Sequence, residues 1–379
     1  MTCLTYLEPL TDGHCAFWAQ MTLRGAAADP RVDQVRLVTG PEMAKRLEET
    51  VAATGLELEI LPPDQLRELT QPDLLKRGRA QWEAARDCLG TSGGQLFLPF
   101  FDHAIYGALL DRRPVPGQVS GIIFRPPNGH NYPAGLRRGL DTGRRWGSYI
   151  GAQRPALRKL FTLDERAPRS AVSRMAGLLT FLPDPSPDLS LLENRTPCPR
   201  ADGRRVLLLF GALAERKGIF VLLEALSHLS SEQRSRLALR FVGRVDSPDR
   251  ESFGARLEAA RAAYPEVAIE LVDRFVSDSE LAQEVVDCDV VLAPYQNHVG
   301  SSGVVFWAAA AGKPLIAQRT GLIGYQVERH GLGTAVDTTD AAALAAALER
   351  ASPRKRNDTF LKAHSPDVFT QTILEGCFG

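Results

Sequence analysis

"PYQNHVGSSGVVFWAAAAGKPLIA", residues 294–317, reads as the end of a strand, a Gly/Ser loop, a helix and a turn into a further strand. Gly300, Ser301, Ser302 and Gly303 stand where that helix begins. They can offer backbone N–H groups and two hydroxyls to an anion, helped by the positive end of the helix. The loop lacks the lysine of a nucleoside-triphosphate loop and has no obvious acid. The alanines at 308–311 let the helix pack closely on its neighbours.

The same alternation extends outward in both directions. Upstream lie "RRVLLLFGAL" (204–213), "LALRFVGRV" (237–245), "VAIELVDRF" and "DVVLAPY" as strands. "KGIFVLLEALSHLS" (217–230), "SFGARLEAARAAYP" and "DSELAQEVVDC" read as helices between them. Downstream, "KPLIAQ" is a strand and "DAAALAAALERAS" a late helix. The first half repeats the scheme with "QVRLVTG" (34–40), "LELEILP" (56–62), "GQLFLPF" (94–100) and "VSGIIFRP" (119–126). Alternating strands and helices imply parallel sheets covered on both faces. The expected organisation is an N-terminal domain over 1–185, a Pro- and Asp-rich linker over 186–203 and a second domain over 204–350. A C-terminal segment, 351–379, is expected to pack back on the first domain. Two doubly wound α/β domains of this kind are expected to face one another, with ligands at the carboxyl ends of their strands, in the cleft between them.

Bulk properties narrow the function classes. The 379 residues have a formal net charge of zero, with 44% hydrophobic and 24% charged residues. That gives no reason to expect a nucleic-acid partner. Cysteines 3, 15, 88, 198, 288 and 377 form no CxxC pair and no regular spacing, which argues against a zinc site or a disulfide framework and fits a reducing compartment. The first residues have neither the basic flank nor the apolar run of a signal peptide, and no stretch approaches the length of a membrane span. A cytoplasmic protein is expected. A nicotinamide-linked oxidoreductase fits the fold class but not the motifs, because no GxGxxG follows a strand with an acid about 20 residues on.

In "LLLFGALAERKGI", Gly211 ends a strand and Arg216, Lys217 and Gly218 open a helix. Two cations at the mouth of a parallel sheet suit a diphosphate: Lys as a mobile point charge, Arg as a planar fork. With 300–303 they would form a two-sided clamp. "DCD" at 287–289 matches a metal-binding Asp-x-Asp pattern, but it falls between a helix end and a buried strand and reads as turn and cap residues. No metal and no cofactor is therefore expected.

The order "FGALAERKG", "FVGRV", "VDRFVSDSELAQEVVDCDVVLAPY", "GSSGVVFWAAAAGKPLIAQRTGLIGYQVERHGLG" resembles the nucleotide-binding domain of retaining GT-B glycosyltransferases. "EPLTDGHCAFWAQMTL" is similar to the glycine loop after that family's first strand, and "FTLDERA" and "LPDP" to phrases before its linker. The resemblance implies a nucleoside-diphosphate sugar as donor and an acceptor that is a glycan, a lipid-linked sugar or a small molecule. It implies that Lys217, assisted by Arg216, holds the diphosphate and that 300–303 receives phosphates or sugar. Arg274, Phe275 and Val276 would lie beside the base, with Gly13 and His14 facing the donor from the other domain. The family usually carries two glutamates eight positions apart. Here those positions are Val299 and Trp307, and the usual arginine after the strand-end glycine is Ala212. The chain is thus either a divergent enzyme or a nucleotide-sugar binder without catalysis.

Further residues carry alternatives. Arg125 follows a strand at its carboxyl end, where it can bind an anionic acceptor, stabilise a leaving phosphate or form a surface ion pair. His298 and His14 can hydrogen-bond a sugar hydroxyl or a phosphate. His103, with Asp102, reads as a helix cap. Residues 137–159 hold seven Arg or Lys and one Asp, with Trp146 and Tyr149 between. Such a segment suits either a solvated face or peripheral contact with an anionic membrane.

Overall fold

The run CLTYLE, strand β1 (Cys3–Glu8), is buried at all six positions. Alternate side chains of a strand point to opposite faces, so an uninterrupted buried run requires cover on both sides of the sheet. The computed structural model describes residues 2–11, 14–126, 156–170 and 177–379. It divides into two units, Met1–Asp184 with Pro366–Gly379, and Pro185–Ser365.

The first unit is built on β1, β2 (Gln34–Thr39), β3 (Glu57–Ile60), β4 (Gln95–Leu98), β5 (Gln118–Ile122), β6 (Leu157–Thr162) and β7 (Leu179–Phe181). Their order is β3-β2-β1-β4-β5-β6-β7, all parallel. The winding reverses between β1 and β4, which makes their carboxyl ends a topological switch point. The C-terminal helix Pro366–Phe378 packs on the helix Cys15–Ala28, with Trp18 and Phe369 rings 5.2 Å apart. Arg158 ties this helix to the sheet, donating from Nε to the Gly376 carbonyl (3.2 Å) and from Nη1 to Gln118 Oε1 (3.0 Å).

The second unit holds β8 (Arg205–Phe210), β9 (Leu237–Val242), β10 (Ala268–Val272), β11 (Val290–Ala293), β12 (Leu315–Gln318) and β13 (Gly333–Val336). The order is β10-β9-β8-β11-β12-β13, again parallel, with its switch point between β8 and β11. Along β8, Val206, Leu208 and Phe210 enter one apolar cluster while Leu207 and Leu209 enter the other. Both faces of the sheet are therefore core. Residues 185–203 are part of this unit: Arg195 donates to Gln283 Oε1 (3.0 Å) and Ser279 Oγ (2.8 Å), and the Cys198 amide donates to Asp287 Oδ1 (2.8 Å).

The helix expected over 217–230 is shorter. Glu215–Lys217 is a single 3-10 turn, Gly218 adopts φ 79°, and the α-helix runs only over Ile219–Ala225 before a second 3-10 turn at Leu226–His228. The left-handed Gly218 breaks the path. It also sits so close to the loop after β11 that a Cβ there would lie 2.0 Å from the Pro294 carbonyl oxygen. At the carboxyl end of β9, Gly243 has φ 136° and a Cβ would lie 1.9 Å from the Gly211 carbonyl oxygen. Glycine at these two positions lets the loops at the switch point approach one another.

The helix Gly303–Ala310 buries all of Val304 to Ala310, including Trp307, which packs in the core cluster against β8 and β11. Among the described residues no helix is long and apolar enough to cross a membrane. The part of the basic segment 137–159 that includes Trp146 and Tyr149 lies outside the described residues. Its last two cations, Arg158 and Lys159, lie in β6 and bond within the unit, Lys159 Nζ to the Gly177 carbonyl at 3.3 Å.

At the carboxyl end of β1, Glu8 is fully buried, its Oε1 accepting from the Leu10 amide at 2.9 Å. Burial raises its pKa to about 7; the Leu10 amide and the neighbouring Cys15 thiol pull the other way. Because the folded value lies above the ordinary one, Glu8 favours the fold fully below about pH 4.5, and this contribution fades as pH rises through 7. The shift corresponds to ~3 kcal/mol. Glu8→Gln is expected to abolish that part of the pH dependence, so that wild type loses stability relative to the variant between pH 5 and 8 in urea titrations. Separately, Trp307→Ala is expected to lower unfolding stability by about 3–5 kcal/mol, as truncation of a buried tryptophan does. Chemical denaturation followed by circular dichroism measures it.

Candidate functional site

The carboxyl ends of β8 and β11 bring the two candidate anion elements together. After β8 the chain passes through exposed Gly211 and Ala212 into the 215–217 turn. After β11 it passes through Pro294 and Tyr295, turns at Asn297 in the left-handed region (φ 55°), and reaches Gly300 and the helix at Gly303. The Gln296 amide donates to the Arg216 carbonyl at 2.8 Å, joining the two loops through their backbones.

Their side chains are joined as well. Lys217 Nζ donates to the Tyr295 hydroxyl and lies 3.9 Å from the centre of its ring. The Tyr295 hydroxyl is in turn 2.9 Å from Ser302 Oγ. Tyr295 is 1% exposed, a buried aromatic body that presents only its polar tip to the site. Ser302 occupies the N-cap position of the Gly303–Ala310 helix, but its side chain makes no cap bond; it is turned towards Tyr295 instead. This leaves the first helical amides without a side-chain acceptor, an arrangement suited to an incoming anion.

The loop is pinned from several sides. Thr338 Oγ1 donates to the Tyr295 carbonyl (2.8 Å), and Gln296 Nε2 donates to the Pro294 (2.9 Å) and Thr338 (2.7 Å) carbonyls. Gln318, at the end of β12, donates to the carbonyls of His298 and Thr320 and accepts from the His298 amide. His298 stands edge-on to Tyr295 with ring centres 5.2 Å apart, and its Nε2 donates to the Ser301 carbonyl at 3.1 Å. That bond ties the His298 ring to the 300–303 loop. Arg216 is exposed at the mouth of the site, and Lys217 is half-buried.

The residues expected beside the base stand at the end of another strand of the same sheet. Arg274, Phe275 and Val276 follow β10, two strands from β8 and thus ~10 Å away at ordinary strand spacing. The Arg274 guanidinium is paired with Glu280 at 2.7 Å, holding that carboxyl down at about 2 with help from Ser277. Phe275 is 83% exposed, and Val276 packs partly on the core. The carboxylates of the 287–289 motif face backbone amides: Asp287 accepts from Cys198, and Asp289 Oδ2 from Val206 at 2.8 Å. Both lie at the opposite, amino end of the strands. Among the described residues no group of three or more His, Cys, Asp or Glu could hold a metal ion.

His14, Arg125, Asp102 and His103 belong to the first unit, at the carboxyl ends of β1, β4 and β5. Gly13 lies outside the described residues. His14 precedes the Cys15–Ala28 helix with its ring 3.8 Å from Trp18. Asp102 is not a helix cap. It lies in the first turn of the Phe101–Leu110 helix, and its carboxylate accepts from the amides of Phe124 (2.8 Å) and Arg125 (3.1 Å). It thereby fixes the exit of β5 and leaves the Arg125 side chain exposed. His103 Nε2 is 3.0 Å from Arg77 Nη2; arginine only donates, so that nitrogen accepts. Phe124 stacks on Phe100 with ring centres 4.6 Å apart, bracing the same exit. Tyr295, Thr338, Gln296 and Gln318 went unread in the sequence. A tyrosine closing an apolar strand has the signature of core.

Residues 204–352 match the family model described as glycosyl transferases group 1. Among solved structures the chain is similar to an α,α-trehalose-phosphate synthase (UDP-forming) from Burkholderia xenovorans, in complex with glucose-6-phosphate. The TM-score is 0.70 at 12% identity, covering 100% of both chains. It is similar to a sucrose-phosphate synthase from Thermosynechococcus elongatus (TM-score 0.65, 18% identity, 100% of this chain and 95% of that one). It is similar also to Anabaena HepE in complex with UDP (TM-score 0.63, 13% identity, 99% of each chain). No curated protein sequence matches the chain. The two parallel-sheet α/β units, of seven and six strands, make this a GT-B fold.

Proposed function

We propose that the protein is a glycosyltransferase that moves a sugar from a nucleoside-diphosphate sugar to an acceptor hydroxyl with retention of configuration. The observation that carries this reading is the contact of Lys217 with Ser302 through Tyr295, at the β8/β11 switch point of the region that matches the family model. Similar folds named for UDP-forming synthesis, or seen with UDP and UDP-glucose, support a nucleotide-sugar donor.

In this reading the donor's diphosphate lies between Lys217, Arg216 and the amides of 300–303. As the anomeric C–O bond breaks, its electron pair passes to the diphosphate, where those fixed positive groups stabilise the developing charge. The acceptor oxygen attacks from the same face, and its proton passes to the departing phosphate oxygen. The products are a glycoside and a nucleoside diphosphate, with no protein nucleophile. The two cations and the helix end supply the neutralisation that a metal would otherwise give, so we propose a reaction without metal or other cofactor. Arg125, exposed beyond the clamped exit of β5, would meet an acidic group of the acceptor. We place the protein in the cytoplasm, with peripheral membrane contact if the acceptor is lipid-linked.

A second reading, a nucleotide-sugar binder without turnover, is favoured by one observation: Trp307 is buried in the core where the resemblance leads one to expect a glutamate. Its indole can donate but not accept a hydrogen bond. A panel of nucleotide sugars, assayed for hydrolysis and transfer, separates the two; binding without turnover for every donor and acceptor supports the second. For the enzyme, Lys217→Ala is expected to lower the transfer rate by about 100- to 1000-fold, the usual loss of one charge-stabilising donor. The circular dichroism spectrum should not change. An unchanged rate would remove Lys217 from the mechanism.

A further inference from the structure

The chain Lys217–Tyr295–Ser302 has a direction. An ammonium group can only donate, so the Tyr295 oxygen accepts from Lys217 Nζ. Among the described residues the phenolic hydrogen then has one polar partner, Ser302 Oγ at 2.9 Å. Were Ser302 to donate to Tyr295 instead, the tyrosine hydrogen would be left without an acceptor beside a residue that is 1% exposed, a costly arrangement. Ser302 therefore accepts. Among the described residues Ser302 Oγ has no hydrogen-bond partner besides Tyr295, so its own hydrogen remains available to a ligand.

We infer that Tyr295 is a positioning residue that turns the Ser302 hydroxyl outward as a hydrogen-bond donor for the diphosphate. A positive charge at one end of the chain polarises both hydroxyls in the same sense, and successive hydrogen bonds of one direction strengthen each other. The hydrogen of Ser302 emerges beside the first amides of the Gly303–Ala310 helix, so hydroxyl and amides converge on one anion. The same bond holds the Lys217 ammonium in place before any ligand arrives, which reduces what must be ordered on binding. His298, donating to the Ser301 carbonyl, and Thr338, donating to the Tyr295 carbonyl, hold the backbone on both sides of the Tyr295–Ser302 bond. The relay rests on the proposed nucleotide-sugar reading and adds what that reading does not contain: which residue sets the proton arrangement of the phosphate site.

The test is calorimetric titration of the intact chain with UDP, GDP and ADP, followed by the best of these and its bare nucleoside. Tyr295→Phe keeps the buried ring and removes the hydroxyl. It should weaken the diphosphate by about 10- to 100-fold, the range for one hydrogen bond to a charged group, while leaving the nucleoside unchanged. Ser302→Ala should lose a similar factor, Ser302→Thr should restore binding, and the Tyr295→Phe/Ser302→Ala double variant should be no weaker than the worse single one, because both remove the same relay. Equal loss for nucleoside and diphosphate, or a double loss equal to the product of the single ones, overturns the relay. So does diphosphate affinity unchanged in Ser302→Ala, which serves even if Tyr295→Phe fails to fold. If the wild-type protein binds none of the three diphosphates, both the relay and the nucleotide-sugar reading fall.

Discussion

The hydrogen-bonded contact between the loop after β8 and the loop after β11 is the constraint on which the site depends. Parallel sheets of this winding leave a gap between their first and fourth strands, where the loops diverge to opposite faces. Here Gly218, against the Pro294 carbonyl, and the Gln296 amide, on the Arg216 carbonyl, hold the loops together across that gap. Lys217 and Ser302 then share Tyr295. A buried phenol thus joins a cation to a helix start that has no side-chain cap, the two parts of the proposed anion site.

The surroundings are built to keep that site still. Backbone carbonyls and amides of 294–302 are bound by Gln296 and His298 of the same loop, by Gln318 at the end of β12 and by Thr338 just after β13. Such fixed dipoles cost no rearrangement when charge appears beside them, which is what distinguishes a preorganised site from a solvated one. In the first unit a comparable economy operates at the exit of β5, where the single carboxylate of Asp102 takes two successive amides and Phe124 is stacked on Phe100. The exposed Arg125 is thus carried on an ordered turn.

Much of the fold was legible because its strands are covered on both faces. β8, β9, β11 and β12 are largely apolar runs, broken within only by Arg240, and each reads as a strand without help from context. β13 did not, since Gly333–Val336 is four residues at a sheet edge and is only partly buried. The helix after Lys217 was read too early because the left-handed Gly218 separates the basic turn from it, a backbone event that the side-chain pattern does not announce. Of the site, Lys217 and the 300–303 loop were visible as a charge and a glycine cluster at strand ends. Tyr295 was not, because its ring belongs to the core and only its oxygen to the site. Arg274 and His298 were read as ligand contacts. The bonds that Arg274 makes to Glu280 and His298 to the Ser301 carbonyl are local partners that a linear chain does not display.

Where a diphosphate lies on this protein decides the role of Lys217, Tyr295 and Ser302. A crystal structure of the protein grown with UDP, or with the nucleoside diphosphate it binds best, measures this directly. The prediction is phosphate oxygens within hydrogen-bonding distance of Lys217 Nζ, Ser302 Oγ and the amides at the start of the Gly303–Ala310 helix. A diphosphate bound away from the β8/β11 switch point, with Lys217, Tyr295 and Ser302 contacting only one another, would contradict it.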